Sequence, residues 1–192
     1  CGRKGNMVNL VILLECFGIC LTVIALFLLL NGEGAKEQKL LILIMCGSLV
    51  QNVGYLLELI APTMESAMTA VKVENVGSAF VPLCYCWFIY IYCYKTPPKI
   101  FLRILTAVSF FALPSVFFNW HGLFYQEVQW VADPGGFYHV NITYGPLYVF
   151  FLFSRIIIPY TLCIYTLVSA IHERSDRQVN RQYWTILGIS TL

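Results

Sequence analysis

The chain has 192 residues, of which 59% are hydrophobic and only 11% are charged. Soluble domains contain roughly half apolar and about a quarter charged residues, so this composition excludes an ordinary water-soluble fold. The formal net charge of +2 does not indicate a nucleic-acid partner. We therefore predict a polytopic membrane protein whose principal partner is the lipid bilayer.

Long apolar stretches separated by short polar loops define the predicted membrane helices. A spanning helix needs about 20 apolar residues, because unpaired backbone groups are costly in hydrocarbon. The sequence predicts an all-α polytopic helix bundle, a truncated part of a seven-helix bundle. Its spans are predicted at residues 7–30, 40–61, 70–94, 100–118, 144–171 and 183–192. Because the sequence begins with Cys1 and stops inside a span, we expect a fragment of a longer protein.

The distribution of Lys and Arg predicts the orientation of the spans, because short cytoplasmic loops retain positive charge. With the amino terminus outside, the cytoplasmic loops hold Lys36, Lys39, Lys95, Lys99, Arg103, Arg174, Arg177 and Arg181. We predict a multi-pass protein of the plasma membrane with its amino terminus outside the cell.

The loop at residues 119–143 is too long for a simple connector. Phe124–Val131 and Phe137–Tyr144 are rich in aromatic and β-branched residues, and Asp133–Gly136 between them supplies turn chemistry. We predict a small extracytoplasmic β-hairpin over the mouth of the bundle. Its aromatic residues suit either an anchor at the headgroup interface or a lid over a pocket.

Polar side chains inside the spans indicate the candidate site. A charge at the bilayer centre costs at least about 2.5 kcal/mol on insertion scales, so such residues face a partner or a hydrated recess. Helical spacing places polar residues of the second, third and fifth spans on shared faces, among them Gln51, Glu58, Glu74, Ser78, Tyr148 and Arg155. These stripes fit contacts between helices, a ligand pocket, or a path for protons or ions.

For the pocket hypothesis we predict the ligand-binding residues Arg155, Glu74, Asn52, Gln51, Glu15 and Tyr148. Arg155 leads this set because an arginine stays charged and needs either an anionic ligand group or a counter-ion such as Glu15 or Glu74. We predict no catalytic residues, no metal site and no cofactor. Cysteines within the spans are typical of packing residues, and the histidine spacing matches no metal template.

Three segments resemble a known family. They are Lys72–Pro82 followed by Trp87, Phe88 and Tyr92; Pro114 followed by Asn119–Tyr125; and Tyr144–Tyr148. Together they resemble the N-terminal seven-transmembrane sensor region of bacterial histidine kinases, which is also found fused to diguanylate cyclase output domains. The resemblance covers nearly the whole chain.

The resemblance implies a homodimeric membrane sensor domain that detects an extracytoplasmic or membrane-borne signal and regulates a C-terminal cytoplasmic output. The chain carries neither a kinase glycine motif nor a Gly-Gly-Asp/Glu-Glu-Phe signature, so we expect it to be non-catalytic. The alternative is a secondary transporter or channel-like protein, although no internal repeat relates the first three spans to the next three. A retinal photoreceptor would need a Lys deep in the last helix.

Overall fold

The computed structural model describes residues 2–32, 34–93, 96, 99–132 and 138–173, without the side chains of residues 2–8, 112 and 155. The long helices are α1 (Gly2–Leu30), α2 (Lys36–Leu59), α3 (Met64–Tyr92) and α4 (Lys99–Phe118). In the part of the chain that is described, these four helices are long and apolar enough to cross a membrane. The mostly helical membrane fold is confirmed. The predicted sixth span lies outside the described residues, and a seven-helix bundle is not established by them.

Side-chain hydrogen bonds set the first two helix connections. After α1, the side-chain amide of Gln38 donates to the Leu29 carbonyl, and its oxygen accepts from the Gly34 N–H at 2.8 Å. At the start of α3, the Thr63 hydroxyl accepts from the Ser66 N–H at 3.2 Å, and the Thr63 N–H donates to the Ser66 hydroxyl. This capping box satisfies two orphan donors, which explains why the helix begins at Met64 and not at the predicted residue 70.

The predicted span at 144–171 is a helix with a widened middle. It consists of α5 (Pro146–Leu152), a π-helical segment (Phe153–Ile157) and α6 (Ile158–Glu173). Pro159 has no backbone N–H, and in an α-helix its ring would clash with the Arg155 carbonyl. The π-helical turn immediately before Pro159 therefore has an identifiable local cause.

Glycines bring α2 and α3 into backbone contact. A Cβ atom on Gly77 would lie 2.6 Å from the Gly47 carbonyl oxygen, and one on Gly54 would lie 2.8 Å from the Glu74 Cα. Larger residues at these positions would separate the helices. Small residues also let helix backbones approach closely in other membrane bundles. Helix association in lipid depends on such packing, because the hydrophobic effect does not drive it there. The polar face of α2 therefore packs directly against the polar face of α3.

The two-stranded antiparallel sheet consists of β1 (Tyr125–Ala132) and β2 (Tyr138–Tyr144). In its register, Val128 faces Ile142 and Trp130 faces Val140. The predicted β-hairpin is thus confirmed as a pair of strands, although its turn at residues 133–137 lies outside the described residues. Strand β2 packs against α2 and α3. We call this part of the molecule the hairpin end.

The described core has two separate clusters. The hairpin-end core contains Val71, Val116, Phe124, Tyr125 and Phe151. The opposite-end core joins α3 to α6 and contains Cys86, Ile89, Tyr90, Cys93, Cys163, Leu167 and Ala170. Along α3, the residues between these two clusters are the ones that line a cavity.

Helix α1 contributes little to either core. None of its most apolar window is buried, and Leu13 and Phe27 are 64% and 65% exposed. A continuous apolar surface of this kind is unfavourable in water but natural against lipid chains. We conclude that α1 packs on α2 with one face and is available to lipid with the others.

Candidate functional site

A cavity of about 340 Å³ lies between α3, Gln51 of α2 and the broken helix α5–α6. We call it the central cavity. Its polar wall residues are Gln51, Asn75, Ser78, Tyr148 and Tyr160. Its apolar wall residues are Val81, Pro82, Phe124, Phe151, Leu152 and Ile156. A mostly apolar wall with a few convergent polar groups is typical of small-molecule sites.

The polar groups from α3 are held by their own helix. The Asn75 side-chain amide donates to the Val71 carbonyl at 2.9 Å, and the Ser78 hydroxyl donates to the Asn75 carbonyl at 3.1 Å. Each of these side chains then offers an oxygen acceptor to a ligand. Pro82 follows one turn later and cannot donate to the Ser78 carbonyl, which adds a further acceptor to this wall.

The facing wall is shaped by aromatic packing and by the π-helical segment. Tyr160 directly follows Pro159, and its ring stacks on Tyr85 of α3 at a centroid distance of 5.4 Å. Tyr148 makes an edge-to-face contact with Phe124 at 5.6 Å. A proline and an irregular helix therefore border the central cavity on the α5–α6 side, while a second proline lies on the α3 side.

Asn119 positions the aromatic residues at the hairpin end of the central cavity. Its backbone has φ 40°, a left-handed conformation that asparagine tolerates better than most residues. Its side-chain oxygen accepts from the N–H groups of Phe124 and Tyr125 at 3.1 and 2.8 Å, and its amide donates to the Tyr125 carbonyl at 2.9 Å. These bonds place Phe124 in the cavity wall and start β1 at Tyr125.

Gly145 joins the hairpin to α5 at the same point. Its N–H donates to the Phe124 carbonyl at 2.9 Å, and a Cβ atom here would collide with the Leu123 carbonyl. The Asn119–Tyr125 and Tyr144–Tyr148 segments, on which the family resemblance partly depends, thus meet in one structural unit. Their residues have a geometric role in holding the hairpin on the bundle.

Three carboxylates from three helices interact near the hairpin end. Glu74 of α3 interacts electrostatically with Glu58 of α2 and Glu15 of α1. The Glu58 carboxylate also accepts a hydrogen bond from the backbone N–H of Val140 in β2. We call Glu15, Glu58 and Glu74 the acidic cluster. Since Glu58 binds the hairpin directly, the cluster connects the hairpin to α2.

Three tyrosines lie beside the acidic cluster. The rings of Tyr144 and Tyr148 stack at a centroid distance of 3.7 Å, and their hydroxyls are hydrogen-bonded. Tyr125 is 2% exposed, and its hydroxyl has no hydrogen-bond partner among the described residues. Burial, together with Tyr144 and Glu74, raises the pKa of Tyr125 well above its ordinary value. The Tyr125 hydroxyl is therefore neutral at physiological pH.

Four of the six predicted site residues lie in two places, two in each. Gln51 and Tyr148 line the central cavity. Glu15 and Glu74 belong to the acidic cluster instead of the cavity wall. Asn52 is half-buried on α2 beside Gln51 and is not among the lining residues.

Arg155 lies in the π-helical segment, between the lining residues Leu152 and Ile156. Its side chain lies outside the described part of the structure, so its pairing with Glu15, Glu74 or a ligand stays a prediction. Sequence reasoning missed Tyr160 and Tyr125 as site residues, because aromatic residues in a span or in a β-strand usually indicate packing or an interfacial anchor.

The fold and the central cavity define a polytopic membrane protein with an internal cavity, a feature that both receptors and transporters have. A family model for the N-terminal 7TM region of histidine kinase matches residues 13–192. The chain therefore belongs to this family, and the predicted resemblance is confirmed. No curated protein and no solved structure matches the chain. Family membership indicates a membrane sensory region.

Proposed function

We propose that this domain binds a small-molecule or membrane-borne signal in the central cavity and regulates a C-terminal cytoplasmic output, a histidine kinase or a diguanylate cyclase. The proposal rests on the central cavity, which lies between the helix pair α2–α3 and the irregular helix α5–α6. Family membership supports the sensory role, and the cavity supplies a place for the signal.

The lining of the central cavity favours a compact, mainly apolar ligand. Its volume of about 340 Å³ is at the lower end of the range of roughly 300–1,000 Å³ for small-molecule pockets. Gln51, Asn75 and Ser78 provide hydrogen-bonding groups along one wall, and Tyr148 and Tyr160 provide hydroxyls on the other. Such a ligand would carry one or two polar groups. Arg155 is proposed to bind an anionic group of the ligand, as the sequence suggests.

The two walls differ in how easily they can move. The α2–α3 wall is fixed by backbone contact at Gly47, Gly54 and Gly77. The α5–α6 wall contains the π-helical segment and Pro159, where hydrogen bonding along the helix is already irregular. A ligand that binds one arrangement of α6 better than another shifts the population by no more than its differential affinity. In the seven-helix bundle expected of this family, the later helices lie between α6 and the output, so a displacement of α6 would reach the output through them.

The proposed orientation places the hairpin end outside the cell. Lys36, Lys39, Lys99 and Arg103 all lie at or near the helix ends opposite the hairpin, which is the pattern expected for a cytoplasmic surface. The signal would then approach the central cavity from outside or from the outer leaflet. A homodimer is proposed from the family, because sensor kinases and cyclases generally work as dimers.

Filling the central cavity tests the proposal. We expect Ser78→Leu to abolish the response of the output enzyme to an active culture extract, because the added side chain occupies the ligand volume. The assay uses the full-length protein in lipid vesicles and measures output activity with and without extract. Arg155→Ala in the same assay should lose the response as well while membrane insertion is retained.

Thr161→Leu is the matched control for Ser78→Leu. Thr161 is also a hydroxyl residue within a membrane helix, and its hydroxyl donates to the Ile157 carbonyl at 2.7 Å. Its side chain is exposed, however, and it is not a lining residue of the cavity. This variant should respond as the wild type does. An undiminished response in Ser78→Leu would remove the central cavity as the signal site.

A further inference from the structure

The acidic cluster and the tyrosines beside it lie together at the hairpin end, where Tyr148 also belongs to the wall of the central cavity. We infer that these residues enclose a recess, between Glu58, Glu74 and the buried Tyr125 hydroxyl, which binds an organic ammonium cation. The inference rests on the proposed function in one respect, because Arg155 is assigned there to the ligand of the central cavity and not to the acidic cluster. Its support comes from charge, from an unpaired buried hydroxyl and from the arrangement of the aromatic rings.

The charge of the acidic cluster is not balanced by its described neighbours. The charged groups that act on Glu74 are two further carboxylates, Glu58 and Glu15. The basic side chain that acts on Glu58 is the imidazole of His139, which is exposed on β2. Like charges brought together in a poorly hydrated place repel each other, and a bound cation removes that repulsion. The cluster therefore favours a positively charged ligand.

The Tyr125 hydroxyl points independently to a ligand at the same place. It is fully buried and has no hydrogen-bond partner in the described structure, and Glu74 acts on it electrostatically. A buried polar group normally has a partner, since leaving it unpaired costs about 1–3 kcal/mol. An ammonium group can donate to the phenol oxygen and to a carboxylate at once, which would satisfy both groups.

An organic cation fits better than a metal ion. Among the described residues, no group of three or more His, Cys, Asp and Glu side chains converges closely enough to hold a metal. Aromatic rings lie beside the carboxylates instead: Tyr125 and Tyr144 have a centroid distance of 6.2 Å, and Tyr148 stacks on Tyr144. Ammonium groups are attracted to the faces of such rings as well as to the carboxylates.

A binding experiment with a simple amine tests the inference. The full chain is placed in nanodiscs of phosphatidylglycerol, a lipid without an amine, and titrated with ethylammonium chloride. Saturation-transfer NMR on the ethyl protons reports binding. We expect saturable binding that the uncharged isostere ethanol does not reproduce and that an equal concentration of sodium chloride does not displace. An absence of binding, or equal binding of ethanol, would overturn the inference.

Two substitutions place the amine at this recess. We expect Glu74→Gln and Tyr125→Phe each to weaken ethylammonium binding by about tenfold or more, because each removes one of the ligand's partners. Glu65→Gln is the matched control, since it makes the same change on the same helix at an exposed position. If the Tyr125 hydroxyl were unpaired without taking part in binding, Tyr125→Phe would bind ethylammonium as the wild type does. Thermal unfolding of each variant confirms that it is folded.

Changing the lipid distinguishes the two possible sources of the ammonium group, a lipid headgroup and a free amine. In nanodiscs that contain phosphatidylethanolamine, a lipid headgroup in the recess would compete with ethylammonium in the wild type, whereas a site for free amines would bind it equally well in both lipids. Ser78→Leu should retain ethylammonium binding in either case, because Ser78 lies in the central cavity. Failure of the cavity proposal and failure of this inference are therefore distinguishable.

Discussion

The two ends of the helix bundle are packed in opposite ways. At the opposite-end core, small and aliphatic side chains such as Cys86, Ile89, Cys163 and Leu167 are fully buried, and the two thiols are hydrogen-bonded to each other. At the hairpin end, carboxylates approach one another, and the buried Tyr125 hydroxyl has no described partner. The first arrangement stabilises the fold. The second leaves a buried polar group without a described partner, which lowers stability unless a ligand binds there as proposed above.

If the opposite-end core holds the bundle together, its truncation should have the largest effect. We expect Leu167→Ala to lower the free energy of unfolding by about 3 kcal/mol, because Leu167 is completely buried against α3 and a cavity would remain. Denaturant-induced unfolding in detergent micelles measures the change. Val168→Ala, at the neighbouring exposed position, should change the unfolding free energy little. Equal losses in the two variants would contradict the assigned packing.

The hairpin end should depend on one polar side chain. We expect Asn119→Ala to destabilise the protein by about 2 kcal/mol, because three hydrogen bonds to Phe124 and Tyr125 are lost and alanine disfavours the left-handed backbone. Hydrogen exchange of the β1 amides should quicken while exchange in the opposite-end core stays slow. Asn119→Gly separates the causes, since glycine accepts the backbone conformation but provides no hydrogen bonds. Fast exchange at both ends in Asn119→Ala would show that the ends are not independent.

The smallest expected effect concerns pH at Tyr125. Because the folded pKa is raised above that of the unfolded chain, the neutral hydroxyl's contribution to stability is complete below about pH 10 and is lost as the pH rises further. Relative to Tyr125→Phe, the wild type should therefore lose up to about 1.4 kcal/mol per pH unit in alkaline solution. Unfolding measured at neutral and alkaline pH tests this. Tyr138→Phe, on the exposed face of β2, should follow the wild type.

The course of the chain was largely predictable, but the partners of its polar residues were not. Span lengths and the Asp133–Gly136 turn predicted the helices and the two strands, since both signals are local. The widened turn around Arg155 was not predicted, because Pro159 allows several local adjustments and the sequence does not choose among them. Periodicity put Gln51 and Glu58 on one face of α2, yet Gln51 lines the central cavity while Glu58 contacts the hairpin.

By itself, the sequence determined that this protein lies in a membrane and belongs to the sensor family, because hydrophobic length, loop charge and short motifs are properties of neighbouring residues. Only the tertiary structure decided which polar groups meet. Backbone contact at Gly54 and Gly77 brings Glu74 toward Glu58, and the fold of the hairpin buries Tyr125 beside them. These contacts join residues far apart in the chain. They depend on helix rotation and close packing, which no local sequence pattern specifies.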